Sequence, residues 1–423
     1  MNCNCYAFSA CMLALTFLGC FGVFAQRPVD QTTSELRIGG TPWQRHTIDD
    51  SSDGADGVKL FDMNGDGRLD IATGWEEGGI TRLYLHPGKD RVKETWPAVT
   101  VGATPAVEDA VFADMDGDGR PEIVACTEKG AEKIFVHYAP ETDLLDPKQW
   151  RQASLPAAEG RMMWMYAEPL QVDGKYGIDL VAGGKGEHAA LGWFEAPKQA
   201  ADLAAWKWHE ITPLGWVMSI ILRDMDQDGD MDIVITDRYG ALRGCRWLEN
   251  PGPGARQQRA WKSHMIGGAG REVMFMTMAD LDGDGVEEVL VAEKSEQRIQ
   301  IYTRLDRSGT RWQERLIDLP LMTGKAKSIA AGDLNGDGVP DLVISTETGG
   351  KVVDGLIWLD GKKMIGAQDS DFQTVSGVHL AKYDKAELID IDEDGDLDIL
   401  ICEENFGPDS EGLGVIWYEN ALR

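Results

Sequence analysis

Four oxygen-bearing side chains, Asp62, Asn64, Asp66 and Asp70, fall within nine residues of the stretch FDMNGDGRLDIATGW, residues 61–75, around Gly65 and Gly67. Carboxylates at this spacing repel one another unless a positive charge sits among them. Offsets of 1, 3, 5 and 9 suit a hard cation that collects oxygens, and a Gly at position 6 permits the sharp turn that points them inward. Calcium is the expected ion. The pattern recurs as Asp114, Asp116, Asp118, Glu122; Asp224, Asp226, Asp228, Asp232; Asp280, Asp282, Asp284, Glu288; Asp333, Asn335, Asp337, Asp341; and Asp390, Asp392, Asp394, Asp398. A seventh stretch, QVDGKYGID, places Gln171, Asp173, Lys175 and Asp179 at the same offsets. Lys175 brings its own charge to the centre, so six calcium sites are expected and this turn is expected to bind none.

Position 1 falls at residues 62, 114, 171, 224, 280, 333 and 390, a period of 52 to 57 residues. Such a period marks a propeller, solenoid or array. Each loop leads from a short apolar segment (GVKLF, DAVFA, SIILR) into a β-branched one (LDIAT, PEIVA, MDIVI), and both flanks read as strands. The helices of an EF-hand are absent. Between loops lie amphipathic segments at WQRHTI, WPAVTV, WRQASL, WKWHEI, WKSHMI, WQERLI and FQTVSG, and an aromatic-centred strand around Tyr84, Phe135, Trp193, Trp247, Tyr302, Trp358 and Trp417. Four strands in each of seven units make an all-β, seven-bladed β-propeller. WQRHTI precedes the first loop and the last unit stops after three strands, so residues 43–49 are expected to complete the last blade and close the ring, leaving no open sheet edge.

Residues 7–25 form an apolar run ending in Val23-Phe24-Ala25, so residues 1–25 read as a signal peptide and 26–42 as a polar spacer before a single domain at 43–423. The protein is expected to be secreted or periplasmic; FLGC at 17–20 leaves a lipid anchor on Cys20 as the alternative. Of seven cysteines, Cys126, Cys245 and Cys402 lie outside the leader. Cys126 and Cys402 follow loop position 9 by four residues, where other units have small residues, so they read as buried thiols. The net charge is −30, and six calcium ions would return roughly +12. A surface this acidic disfavours nucleic acid, and a monomer with no transmembrane span in the mature chain is expected.

The D-x-[DN]-x-D-G-x-x-[DE] loop between apolar strands, repeated at this period and followed by segments such as WYEN, resembles the FG-GAP/VCBS repeat family, whose propeller is similar to that of integrin α subunits. The resemblance covers most of the chain and implies a calcium-stabilised extracellular propeller. It leaves the function open, because the fold carries both adhesive modules and enzymes.

Six residues after loop position 9 every unit has a charge: Glu76, Glu128, Lys185, Arg238, Lys294, Glu347 and Glu404. These tips belong to connections on the face opposite the loops. Units three to five are basic there and the rest acidic, which suggests a bipolar ring at the mouth of the axis. With Lys185 and Arg238, the residues His188, Tyr239, Arg161, Tyr166 and Arg271 are expected on the same face. The leading expectation is a recognition or adhesion module for an extracellular glycan or a protein partner. The alternative is a polysaccharide lyase or sugar dehydratase, in which cations offset a uronate carboxylate and Tyr or His removes the α-proton. Convergence of His188, Tyr239 and Arg271 on one cavity would favour the enzyme.

Overall fold

The computed structural model describes residues 38–254, 260–348, 351–366, 371–404, 406–407 and 410–422. The proposed leader and the spacer up to residue 37 lie outside the described residues. The compact unit runs from Ile38. Gly39 pairs in parallel with Gln373, and its carbonyl accepts from Thr374 N–H at 2.8 Å.

Seven four-stranded antiparallel sheets stand around an axis. In blade 1 the strands are Ala55–Phe61, Asp70–Trp75, Ile80–Tyr84 and Ala98–Ala103, in that spatial order. Blades 2 to 6 repeat the meander from first strands at Val107–Ala113, Met163–Leu170, Val217–Arg223, Val273–Ala279 and Lys325–Gly332. Blade 7 takes Glu387–Ile389, Asp398–Cys402 and Val415–Glu419 from the C-terminal end and Gln44–Asp49 from the N-terminal end. The closing strand is antiparallel to Val415–Glu419, with His46 opposite Trp417, as expected.

First strands of successive blades pack on one another around the ring. The second strands are buried along their length, as in Asp70–Trp75 and Glu288–Glu293. A strand covered on both faces reads as a continuous apolar run, which explains sequences such as DIVITD and EVLVAE. Seven apolar clusters result, one between each pair of adjacent blades. Small residues four places after loop position 9 set this close approach: a Cβ on Gly74 would stand 2.8 Å from Val107 of the next blade. Cys126 and Cys402 fill the same place as free, buried thiols.

Three outer strands carry one repeated arrangement. His46, His209 and His264 stack on Trp417, Trp193 and Trp247 at ring separations of 4.4, 4.6 and 4.3 Å, and bond Glu419, Glu195 and Glu249. The aromatic positions are not all equivalent. Trp193, Trp247, Trp358 and Trp417 pair with the second residue after loop position 9 (Val181, Val234, Val343, Leu400), whereas Tyr84 and Tyr302 pair with the first, Ile71 and Val289. Phe135 is displaced the other way, opposite Ala125. One step along a strand reverses the face a side chain occupies.

Candidate functional site: seven acidic bends and an axial cavity

Each loop joins the first strand of a blade to its second. The position-9 carboxyl is buried and accepts the position-2 N–H in all seven blades: Met63 to Asp70 at 2.9 Å, Met115 to Glu122 at 2.7 Å, Met225 to Asp232 at 2.7 Å, and likewise at Asp179, Glu288, Asp341 and Asp398. The position-1 carboxylate accepts N–H groups from across the turn, as Asp280 does from Gly283, Asp284 and Gly285 at 2.8, 3.1 and 2.9 Å. Position 6 has φ between +84° and +99° in the six matching loops, which only Gly adopts readily.

Three of the loops bring ligand-capable oxygens within 4.8 Å of one another: Asp114, Asp116 and Glu122; Asp224, Asp226 and Asp232; Asp280, Asp282 and Glu288. These clusters could hold metal ions, and an all-oxygen donor set fits a hard divalent cation. Burial, together with the neighbouring loop carboxylates, pushes Glu122 and Asp232 up to about 7, and burial does the same to Asp398. A cation among them would relieve that cost. In blade 3 the protein supplies its own. Lys175 Nζ pairs with Asp173 and lies 3.2 Å from Glu195, while Gln171 Nε2 donates to the carbonyls of Lys175, at 2.6 Å, and Gly177. The side chains of Lys175 and Gln171 thus staple this turn.

At the other end of the first strands, a cavity of about 470 Å³ opens on the axis. All seven tip residues, Glu76, Glu128, Lys185, Arg238, Lys294, Glu347 and Glu404, line it. A second ring, six residues before loop position 1, was not identified from the sequence: Asp56, Glu108, Met165, Met218, Met274 and Lys327 also line the cavity, with Asp384 in the corresponding place of blade 7. The signal was present at a fixed offset, but the residue types vary from acid to Met to Lys. Strand irregularities turn these residues to the axis. In blades 2 to 6 the register of the first strand slips between Val107 and Asp109, Trp164 and Tyr166, Val217 and Ser219, Val273 and Met276, and Ala326 and Ser328, skipping Glu108, Met165, Met218, Met274 and Lys327, whereas in blade 1 Asp56 stays paired with Gly74 and the slip follows it. Bulges re-aim side chains in this way.

The expected free basic sector is instead paired across blades. Lys185 contacts Glu128 and lies 2.9 Å from Glu108; Arg238 is 2.6 Å from Glu272; Lys294 pairs with Glu347. Single tip charges read in sequence do not show that Glu108 and Glu272 stand beside them. Lys185 and Arg238 also lie over the Trp216 ring, at 4.4 and 4.6 Å from its centroid.

Of the residues proposed for chemistry, Lys185, Arg238 and Tyr166 line the cavity, and His188, Tyr239 and Arg271 do not. His188 is exposed. Tyr239 donates to Glu272 at 3.0 Å, Arg271 pairs with Glu314 at 2.9 Å, and Arg161 bonds the Ala157 carbonyl. Tyr166 lies 5.9 Å from Phe275, and with Met218 these two separate the cavity from one of about 50 Å³ deeper on the axis. Burial, with Asp384 and Asp56 nearby, raises the Tyr166 phenol well above its ordinary value, the opposite of what a proton-abstracting phenolate needs.

The FG-GAP-like repeat model matches residues 62–125, 224–291 and 280–344. No curated protein matches the sequence. Among solved structures, an Agrocybe aegerita lectin described as recognising non-reducing terminal N-acetylglucosamine is similar at 16% identity and TM-score 0.46, covering 77% of this chain and 81% of its own. BBS1N, solved in complex with ARL6DN, is similar at 10% identity and TM-score 0.49, with 90% and 98% covered. A putative gluconolactonase matches at 11% identity and TM-score 0.41, over 93% and 97%. The repeats, their loops and the seven sheets lead to one assignment: the chain is an FG-GAP repeat protein folded as a seven-bladed β-propeller.

Proposed function

We propose that this propeller is an exported recognition module, clipped by calcium in six of its seven bends, that binds an extracellular glycan or protein ligand in the axial cavity. The convergence of all seven blade-tip charges on one cavity of about 470 Å³, at the strand ends away from the acidic bends, carries this reading. Charges from every blade meet at one place without forming a catalytic constellation. His188, Tyr239 and Arg271, the groups a lyase or dehydratase would need together, lie outside the lining and are committed to other partners or to solvent. The recognition reading is therefore preferred to the enzymatic one.

The purified full chain, in calcium buffer, would be passed over immobilised neutral and acidic polysaccharides, with absorbance at the wavelength of unsaturated uronates followed in parallel. Retention without absorbance is expected, and Lys294→Gln with Glu347→Gln, which removes one tip pair together, should weaken it at least tenfold. Absorbance growth abolished by Tyr166→Phe would replace recognition by catalysis.

A further inference from the structure

The charged half of the axial cavity is a set of carboxylate sockets, each holding an ammonium group. Lys327, 3% exposed at its side chain, lies 3.2 Å from Asp384 and contacts Glu404. Lys382 also contacts Glu404, Lys185 lies 2.9 Å from Glu108, and Lys129 pairs with Glu76 and Glu128. One socket has no occupant. Asp56 lines the cavity and is 6% exposed, yet its carboxylate has neither a hydrogen bond nor an ion pair among the described residues. A buried, unpartnered carboxylate costs free energy that the rest of this wall avoids by pairing.

The position of Asp56 is built, not incidental. Gly57 follows it at φ +73° and donates its N–H to Asp384 Oδ2 at 3.0 Å, tying the start of blade 1 to blade 7. A Cβ at Gly57 would stand 2.9 Å from Asp109 Oδ1. Oxygens of Asp56, Glu76 and Glu108 lie within 4.8 Å of one another, as do those of Asp56, Asp384 and Glu404, so a cation at Asp56 has further acceptors on both sides. Beyond these acids the wall turns apolar at Met165, Met218, Met274 and Phe275.

We infer that the axial cavity takes a ligand bearing a primary ammonium group, which docks against Asp56 while its uncharged body rests on the methionine and phenylalanine wall. A single positive charge answers a single unpaired carboxylate. A bare divalent ion would gain a second carboxylate only by displacing lysines that already neutralise Glu76, Glu108, Asp384 or Glu404, and it would face their ammonium groups at contact distance. The volume, about 470 Å³, also exceeds what an ion needs and suits an organic molecule. This inference rests on the reading of the cavity as the binding site.

The test is calorimetric, on the full chain in calcium buffer, with two probes of nearly the same shape: 2-phenylethylammonium and 2-phenylethanol. The ammonium is expected to bind one per chain and at least tenfold tighter than the alcohol. Asp56→Asn, which keeps the shape and removes the charge, should erase that preference. Equal binding of the two probes by the wild-type protein overturns the inference, and this arm needs no variant to fold. A preference that survives in Asp56→Asn assigns it to general attraction by an acidic surface, and also overturns it. So does one manganese ion per chain that competes with the amine and is lost in Asp56→Asn. Failure of the amine with polysaccharide retention intact would sink the ammonium inference and leave the recognition reading standing.

Discussion

Replacing Asp228 by alanine separates a metal clip from an ordinary turn. In the folded chain the Asp228 carboxylate is exposed, and its hydrogen bond accepts Asp230 N–H at 2.9 Å. Its charge lies close enough to Asp226 to push that carboxyl up, after burial. Without calcium the substitution therefore removes one exposed bond, worth about 0.5 kcal/mol, and also removes a repulsion of the opposite sign. The net change should be near zero. With calcium the substitution removes a ligand. For a site of extracellular affinity, Kd about 0.3 mM, in about 2 mM calcium, linkage gives RT ln(1 + [Ca]/Kd), or about 1.2 kcal/mol per site. A propeller of this size unfolds with an entropy of about 0.8 kcal/mol/K, so one lost site shifts Tm by about 1.5 °C, and Asp228→Ala with Asp284→Ala by about 3 °C. Differential scanning calorimetry in calcium and in chelator checks this. Equal losses in both buffers would refute the claim that the loop holds a cation.

The blade-3 bend should behave in the opposite way: Lys175→Ala is expected to cost about 0.5–1 kcal/mol equally in calcium and chelator, because Lys175 and Gln171 hold that turn themselves, measured by urea unfolding. In chelator, Glu122, Asp232 and Asp398 titrate near 7 when folded, above their values in the unfolded chain. The folded state then binds those protons more tightly, so stability should fall as pH rises from about 4 past 7; saturating calcium should remove this slope, as Tm against pH in both buffers would reveal. Gln227 and Glu393 occupy loop position 4 at φ +62° and +57°, where other loops have Gly, so Gln227→Gly should stabilise by about 0.5–1 kcal/mol in either buffer, read from the same urea curves.

The bends were legible because they are local: four side chains at fixed offsets, with Gly at position 6, state the turn, and the period then states the number of blades. Closure of the ring followed from one unmatched WQRHTI segment. The tip charges were also legible, since a fixed distance from a recognisable loop places them whatever lies between. Charge pairing was not. Lys185 meets Glu108 from the preceding blade and Arg238 meets Glu272 from the following one, contacts between residues 77 and 34 apart in the chain. The aromatic stripe failed for a different reason. Tyr84, Phe135 and Tyr302 stand one step from the places of the tryptophans, and an alternating strand gives no landmark that fixes its register to a single residue. The inner ring at the bulges escaped because Asp56, Met165 and Lys327 share a position without sharing a chemistry.

That inner ring explains how a symmetric scaffold acquires an asymmetric site. The residue six places before loop position 1 lines the cavity in blades 1 to 6 regardless of its type, from a register slip in blades 2 to 6 and from a ladder pair with Gly74 in blade 1. Blades 3 to 5 place Met165, Met218 and Met274 there, whereas blades 1, 2 and 6 place Asp56, Glu108 and Lys327. Substitution at the charged positions, Asp56, Glu108 and Lys327, changes the cavity lining without touching the interblade apolar clusters, whereas Met165, Met218 and Met274 are members of those clusters as well as of the ring. The acidic bends lie at the opposite ends of those strands and hold the sheets whatever the ring contains. On the proposed reading the acidic bends and the charged ring positions carry stability and recognition separately, and the ring methionines serve both. The two also meet at the seam of blades 7 and 1, where the Gly57–Asp384 hydrogen bond holds Asp56 in position and the N-terminal strand seals the ring a few residues upstream.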